Sequence, residues 1–493
     1  MRIKNLAKII SLLLVVIILV SASGCGTAQT EISRIVYSRE AMYDNDKTAT
    51  KGFRVGFGRT EILPEDSVPM RGYGDSSDRM SDGYLDRIYI TCVAITDEKD
   101  NTLLMLSVDL VAADKILTDN IRKYAKDTYG IAEEYVHLTA THTHSAPDVR
   151  SDTREIFKYL VKFYSRSHEA VDIAMSDRKQ AEIYVGETQT QGLNFDRHYW
   201  RADGTARGDN YGYFSDAETV SHINDVDGTM RLIKFARTKS DGKKAKDVVL
   251  ANWQAHNHLT GGTQQTDISA DWSGAFGKEL EEKKDCYFAY YQGCAGNINP
   301  FSLFEEENQT RDYREYGKKL ADYAIAIYDK MEKMNTGLIK AKNSKFTYAS
   351  NQQDINLKVE ARAIVDQYNI VKNNNAILEM CRPYNIHGIF HARAILNRTT
   401  GDTTIPVSVF SIGDIGFTTA SVEMFDSFGV AIREKSPFKF TFTISYTDEH
   451  NGYMPSKQYY ECGSYEAYIS KFDKGAGEKC TEQLIKMLNE IHK

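Results

Sequence analysis

The sequence predicts one large mixed α/β domain built on a central sheet, with a candidate site at its strand ends. Three observations carry that reading. Strand-like and helix-like segments alternate along the body of the chain. Two histidine pairs, His142/His144 and His256/His258, stand where strand candidates stop. No Pro-rich or Gly/Ser-rich linker cuts the body, and only 8 of the 493 residues are proline.

In chain order, Arg2, Lys4 and Lys8 precede an apolar run from Ile9 to Val20, followed by Ser21-Ala-Ser-Gly24 and Cys25. The run is short for a bilayer span and reads as the core of a signal peptide. Small residues before a cysteine resemble a bacterial lipoprotein processing site, which implies cleavage before Cys25 and lipidation of its thiol. An ordinary secretory signal, with Cys25 incidental, is the alternative. Residues 1–24 are thus read as a lipoprotein signal peptide, 25–51 as a polar flexible tether and 52–493 as the domain. The expected location is the outer face of the bacterial cell membrane, held through Cys25.

Strands are predicted at Phe53–Gly58, Arg87–Thr96, Thr102–Val108, Tyr135–Thr141, Glu182–Thr188, Met230–Phe235, Val248–Ala255 and Cys286–Tyr291. Amphipathic helices are predicted at Leu117–Tyr129, Arg154–Met175, Trp272–Lys284 and Arg311–Met334. The gap between the apolar pieces Ile355–Asn375 and Ala376–Asn397 is expected to hold insertions that shape a different pocket. The last third reads as Thr403–Ile412 and Gly416–Val422 (strands), Met424–Glu434 (helix), Lys439–Tyr446 (strand) and Gly477–Ile491 (helix). Ligand sites in such sheets lie beyond the carboxyl ends of strands.

Composition narrows the function. A formal net charge of −7, without a dense Lys/Arg stripe, argues against a nucleic-acid partner. Thirty tyrosines suit a groove with apolar walls and polar tips. Beyond Cys25 the cysteines show no close pairing, and connectivity stays open.

The stretch Tyr135-Val-His-Leu-Thr-Ala-Thr-His-Thr-His-Ser-Ala-Pro147 is the most informative. Val136, Leu138 and Ala140 alternate as a half-buried strand, and the same period places His142 and His144 on one side. Two imidazoles at this spacing suit a metal ion, or an ion and its neighbouring water; a strand-capping pair is the bland reading. His256 follows the apolar strand of Val248, Leu250 and Ala251, and Glu423 ends the small-residue strand Gly416–Val422. Taken singly, His256 can be a hydrogen-bonded core residue, His258 a solvated one and Glu423 a helix-start acid. Together they form the His/His/Glu set that catalytic zinc uses with one position left open.

These motifs resemble the neutral (non-lysosomal) ceramidases, zinc amidohydrolases of sphingolipids. The resemblance runs from Val55-Gly-Phe-Gly-Arg-Thr-Glu-Ile62 and Met70-Arg-Gly-Tyr73 through Thr141-His-Thr-His-Ser-Ala-Pro147 and Asn194-Phe-Asp-Arg197. It continues with Asn252-Trp-Gln-Ala-His256, Gln292-Gly-Cys-Ala-Gly-Asn-Ile-Asn-Pro300 and Asn451-Gly-Tyr453 to Tyr465-Glu466. It implies zinc held by His142, His256, Glu423 and Tyr453. It implies His144 and Arg197 beside the attacking water and the substrate carbonyl, and Tyr465 near the scissile group. His144 would carry the proton to the leaving amine, while Arg197 and Tyr465 would stabilise the oxyanion.

Two departures are visible. Gly293 stands where the family has a serine proposed as catalytic, and Cys294 is the adjacent nucleophilic side chain. A water nucleophile is therefore expected, with a cysteine mechanism as the rival. The C-terminal β-sandwich of longer members is expected to be missing. The sequence thus predicts a zinc-dependent amidohydrolase of an N-acyl lipid such as ceramide, or of a related amide. The alternatives are a zinc hydrolase of another amide or ester, related to carbohydrate or peptidoglycan, and a non-catalytic surface-binding lipoprotein.

Overall fold

The computed structural model of the chain describes residues 48–73, 79–208, 217–262, 265–304, 309–373 and 375–493. The segment read as a signal peptide, Cys25 and most of the expected tether lie outside the described residues. Residues 47–493 form one compact unit.

Among the described residues the main sheet has nine strands. In chain order they are β1 (Arg54–Glu61), β2 (Tyr89–Thr96), β3 (Thr102–Val108), β4 (Val136–Ala140), β5 (Lys179–Gln189), β6 (Thr229–Thr238), β7 (Asp247–Trp253), β8 (Cys286–Gln292) and β9 (Glu332–Met334). Their spatial order is β8-β7-β6-β5-β1-β2-β3-β4, with β9 paired to β5. Neighbours are antiparallel except at the two ends, where β7 runs parallel to β8 and β3 to β4. This is the mixed sheet that the alternation of elements predicts.

Alternation of side chains between two cores explains the layers. Cys92 and Ala94 of β2, with Leu104 and Leu106 of β3, face a helical layer. Val93, Ile95, Leu103 and Met105 face the opposite way, into a second core. The helical layer holds α1 (Lys115–Tyr129), α2 (Arg154–Ser176), α3 (Asp271–Lys283) and α4 (Tyr313–Tyr328). Thr153 caps α2 by accepting from the Ile156 amide, and Ile156, Tyr159, Leu160 and Phe163 form its buried stripe. A Cβ at Gly58 would stand 2.1 Å from the Ala170 carbonyl oxygen, so the glycines of the Val55-Gly-Phe-Gly motif let α2 lie directly on β1.

The second core is closed by a smaller sheet of β10 (Ile339–Ala349), β11 (Asp402–Ile412), β12 (Ile415–Ala420) and β13 (Phe440–Ile444). Phe57, Phe235 and Tyr291 of the main sheet pack there with Phe410, Phe417 and Phe442. Helices α7 (Asp426–Lys435) and α9 (Ala476–His492) cover its far face through Phe428, Ile432, Leu484 and Leu488.

The structure departs from the sequence reading in places. The helix expected to reach Met334 stops at Tyr328, because Glu332–Met334 pairs with β5. The helix expected from Met424 starts at Asp426, because Glu423–Met424 bridges to Tyr453–Met454. The two apolar pieces on either side of the expected insertion contain α5 (Lys358–Val371) and α6 (Ile389–Asn397), with their own core of Ile364, Tyr368, Ile377, Ile386 and Ile395. The sequence does not predict edge strand β10, because Lys340, Lys342 and Lys345 dilute its apolar pattern.

What positions the site is the way the main sheet bends back on itself. Ser107 Oγ of β3 donates to the Tyr290 carbonyl of β8 at 2.6 Å, and the Tyr291 hydroxyl donates to the Met105 carbonyl at 3.0 Å. The two parallel ends of the sheet therefore meet, and with them the carboxyl ends of β4 and β7.

Candidate metal centre

His142 follows β4, but not as a continuing strand. It sits at φ +65°, its amide donates to the Leu110 carbonyl at 3.0 Å, and its Nδ1 lies 2.7 Å from the Val111 carbonyl. A left-handed turn, rather than strand period, thus aims it. The next residues pair with the second histidine segment, through a parallel bridge of Thr143 with Asn257 and a His144 amide bond to the Asn257 carbonyl. Gly72 packs on His144; a Cβ there would stand 2.6 Å from the histidine's own. This gives the Met70-Arg-Gly-Tyr73 motif a place in the site.

His256 lies just beyond β7. Its amide and its Nδ1 both meet the Ile298 carbonyl, at 2.9 and 3.0 Å. Glu423 follows β12 in the short parallel pair with Tyr453. Its Oε1 is 3.0 Å from His450 Nε2.

Four of the residues singled out in the sequence converge here. Glu423 Oε2 is 3.4 Å from His142 Nε2 and 3.5 Å from His256 Nε2. His144 Nε2 is 3.1 Å from His142 Nε2, and the three imidazoles offer nitrogens within 4.8 Å of one another. In both His142 and His256 Nδ1 faces a backbone carbonyl, which leaves Nε2 turned toward Glu423. Glu423 Oε2 is buried and has no hydrogen-bond partner among the described residues. A buried carboxylate oxygen without a hydrogen bond, with two imidazole nitrogens beside it, is a place where a cation is favourable. The donors therefore fit a divalent ion that accepts mixed nitrogen and oxygen ligands, the preference of zinc.

The electrostatics agree. Burial works against an ionised Glu423, but His142, His256 and His450 outweigh it and hold the carboxyl well below its ordinary range. Burial and Arg197 push His256 down to about 4, so it stays neutral. Burial and the neighbouring imidazoles likewise hold His144 well below its usual value.

Arg197 forms the opposite wall. It follows the short strand Phe195–Asp196, which pairs with Ile298–Asn299. It is fully buried, and Nη1 lies 3.2 Å from His256 Nε2. Its Nη2 is ion-paired with Glu466, which also meets His198 Nε2 at 2.5 Å. His198 Nδ1 is 2.9 Å from Asp196, and the Tyr459 hydroxyl donates to the same carboxylate. Burial opposes the charge on His198, but Glu466 and Asp196 carry it up to about 9; burial likewise opposes the charge on Glu466, but Arg197 and His198 take it down to about 2. The Arg197 guanidinium is thus a fixed charge braced from behind.

Tyr453 lies under that guanidinium, 5.2 Å from ring centroid to Cζ, and its ring is 6.4 Å from that of His256. Burial holds its phenol well above the usual range. Tyr465 opens the short helix α8 (Tyr465–Ile469), with its ring edge-on to Tyr453 at 5.9 Å. The seven residues singled out in the sequence therefore gather in one place. Sequence reasoning missed His450, His198 and Glu466. Of these only Glu466 lay inside a recognised motif; a lone histidine beside Asn451-Gly-Tyr453 was the available signal for His450.

The rival nucleophile is poorly placed. Cys294 is buried, its thiol is pushed up to about 11 by burial, and its sulfur accepts from Ser445 Oγ at 3.6 Å. Cys92, Cys286, Cys381, Cys462 and Cys480 are also free thiols.

The family model for the neutral/alkaline non-lysosomal ceramidase N-terminal region matches residues 53–300. Among solved structures, the neutral ceramidase from Pseudomonas aeruginosa superposes with a TM-score of 0.66 at 16% identity, over 90% of this chain and 75% of that one. A ceramidase complexed with C2 gives 0.65 at 15% identity, over 89% and 75%. No curated protein matches the sequence. At such identities the likeness to the solved structures establishes the fold.

Proposed function

Because the chain belongs to the neutral/alkaline non-lysosomal ceramidase family, we propose that it is a zinc-dependent amidohydrolase of an N-acyl lipid such as ceramide, or of a related amide. The observation that carries the metal half of this reading is Glu423 Oε2, without a hydrogen-bond partner among the described residues and set against Nε2 of His142 and of His256. A surface-binding protein has no use for that arrangement. His142, His256 and Glu423 are the ligands the geometry supports; Tyr453 is the one the family resemblance adds.

A bound zinc ion acidifies water and polarises a carbonyl. The protein's own groups do the rest. Neutral His144, with its buried Nδ1 unpartnered among the described residues, takes a proton from the attacking water. It returns that proton to the amide nitrogen as the C–N bond breaks, so that a carboxylic acid and an amine leave. Arg197, permanently charged and held by Glu466, faces the carbonyl oxygen as negative charge grows there, and Tyr465 adds a hydroxyl donor. The braced guanidinium needs no reorganisation at that moment, which is the source of its effect.

The test is a panel of N-acyl sphingoid bases, N-acyl amino acids, simple esters and peptidoglycan amides, presented to the zinc-loaded protein and to the His144→Ala variant. Turnover of an N-acyl lipid that falls sharply in the variant supports the reading. Turnover restricted to esters or peptidoglycan would move the substrate, and none at all would remove the enzyme.

The proposal includes an exported protein held at the outer face of the bacterial cell membrane by lipid on Cys25. It is supported by the basic residues Arg2, Lys4 and Lys8, the apolar run and the small residues before that cysteine.

A further inference from the structure

One buried polar group in this site has no part in the chemistry above: the hydroxyl of Tyr446. Its backbone is tied in two directions. The Tyr446 amide donates to the Val422 carbonyl at 3.2 Å, and its own carbonyl accepts from the Ala140 amide at 3.1 Å. The neighbouring Ser445 amide donates to the Gln292 carbonyl at 3.1 Å. This short segment therefore joins the stretches that carry His142, Glu423 and the Gly293–Cys294 loop.

Tyr446 is held at φ +57°. A bulky side chain keeps a left-handed backbone only where its surroundings over-determine it, and such residues cluster at functional sites. The side chain is fully buried, with its ring 4.3 Å from that of His142. Glu423, Tyr453, Arg197 and Cys294 are the titratable groups that act on it. Its hydroxyl has no hydrogen-bond partner among the described residues. A buried hydroxyl without an acceptor is costly, and the cost is recovered when a ligand brings one in.

We propose that Tyr446 is a further catalytic residue, whose phenolic O–H donates a hydrogen bond to the substrate oxygen that becomes the oxyanion, beside Arg197. The phenol keeps its proton throughout, so the step moves no atom and needs no co-reactant. Cys294 cannot serve in its place, since a thiol is a weak donor and this sulfur is engaged with Ser445. The inference rests on the hydrolase reading of the same site, where negative charge develops on a carbonyl oxygen.

The experiment uses Tyr446→Phe, which removes the hydroxyl and keeps the ring against His142. Wild type and variant are loaded with cobalt(II), their metal affinity is measured by chelator competition, and both are titrated with methylphosphonate as an oxyanion mimic. The expected result is unchanged cobalt affinity and methylphosphonate binding weakened about 10- to 100-fold. For the amide that is turned over, kcat is expected to fall about 10²–10³-fold with KM little altered. Unchanged methylphosphonate binding overturns the proposal. So does a loss of cobalt affinity, which would make Tyr446 a ligand of the ion. A crystal structure of the wild type with methylphosphonate gives a readout independent of the variant's folding. The Tyr446 hydroxyl is expected within about 2.5–3.0 Å of a phosphonate oxygen, and a gap that no hydrogen bond spans overturns the proposal. Methylphosphonate held through Tyr446 by a protein that cleaves no amide would keep the donor and remove only the amide reading.

Discussion

Oε2 of Glu423 stands 3.4 Å from Nε2 of His142, whose other ring nitrogen faces the Val111 carbonyl at 2.7 Å. His256 presents the same relationship at 3.5 Å. The protein is therefore expected to retain about one divalent ion per chain, with His142→Ala and His256→Ala losing most of it and Glu423→Gln binding it more weakly. An ion that binds only the folded chain stabilises it by about 4 kcal/mol at 1,000 times its Kd. Chelation is thus expected to lower Tm by several degrees. Metal analysis after dialysis, and melting with and without chelator, check this; a wild type without stoichiometric metal contradicts it.

The brace behind Arg197 makes a second expectation. Glu466→Gln leaves a fully buried guanidinium without its counter-charge, a change that costs about 3–5 kcal/mol in comparable buried pairs. Chemical denaturation of the variant measures it. A loss below about 1 kcal/mol would mean that the pair is not what fixes Arg197.

The same cluster sets a pH window. His198 is raised from 6.5 to about 9, so its contribution is complete below about 6.5 and is lost as pH rises through 9. Glu466 is lowered from 4.5 to about 2, so its contribution is complete above about 4.5 and is lost as pH falls toward 2. The stability difference between wild type and His198→Gln is expected to be greatest between about pH 4.5 and 6.5 and to shrink toward pH 9.5. Denaturation midpoints across that range test the sign, and a difference that grows with pH reverses the assignment.

Much of this was legible in the sequence because two local signals match the fold. Cys92/Ala94 against Val93/Ile95 shows period two, and the Arg154–Met175 stripe shows the helical period. His142, His144, His256 and Glu423 were visible as strand-end residues of ligand type. What was not legible depends on tertiary geometry. The left-handed turn at His142 is set by its bonds to Leu110 and Val111, far from it in sequence. His198 and Glu466 acquire their meaning only when Asp196 and Arg197 are folded against them. Glu332–Met334 read as helix because the strand it pairs with lies some 150 residues earlier.

The anchor expectation follows from Cys25 and the basic, apolar and small residues before it. Cys25→Ser is expected to abolish incorporation of a fatty-acid probe in cells and to leave the protein either uncleaved or released. Label retained on the variant would place the lipid elsewhere.

The loop Gln292-Gly-Cys-Ala-Gly296 decides between water and protein nucleophiles. A side chain cannot simply be restored at Gly293: a Cβ there would stand 2.9 Å from the Trp253 carbonyl oxygen and 2.8 Å from Gln254 Oε1. The first of these is backbone and cannot swing away. Gly293→Ser is therefore expected to destabilise the protein by about 1–3 kcal/mol, as overpacking does, and to yield no more active enzyme. Cys294 has the opposite problem. Its thiol is buried and raised to about 11, so almost none is thiolate at neutral pH. Cys294→Ala is expected to keep most of the turnover, and native protein is expected to resist alkylation at this position. With water as nucleophile, no acyl-enzyme accumulates, so rapid-mixing traces start without a burst. A burst with one equivalent of acyl group on Cys294, or abolition of turnover by Cys294→Ala at unchanged metal content, would install the cysteine mechanism instead.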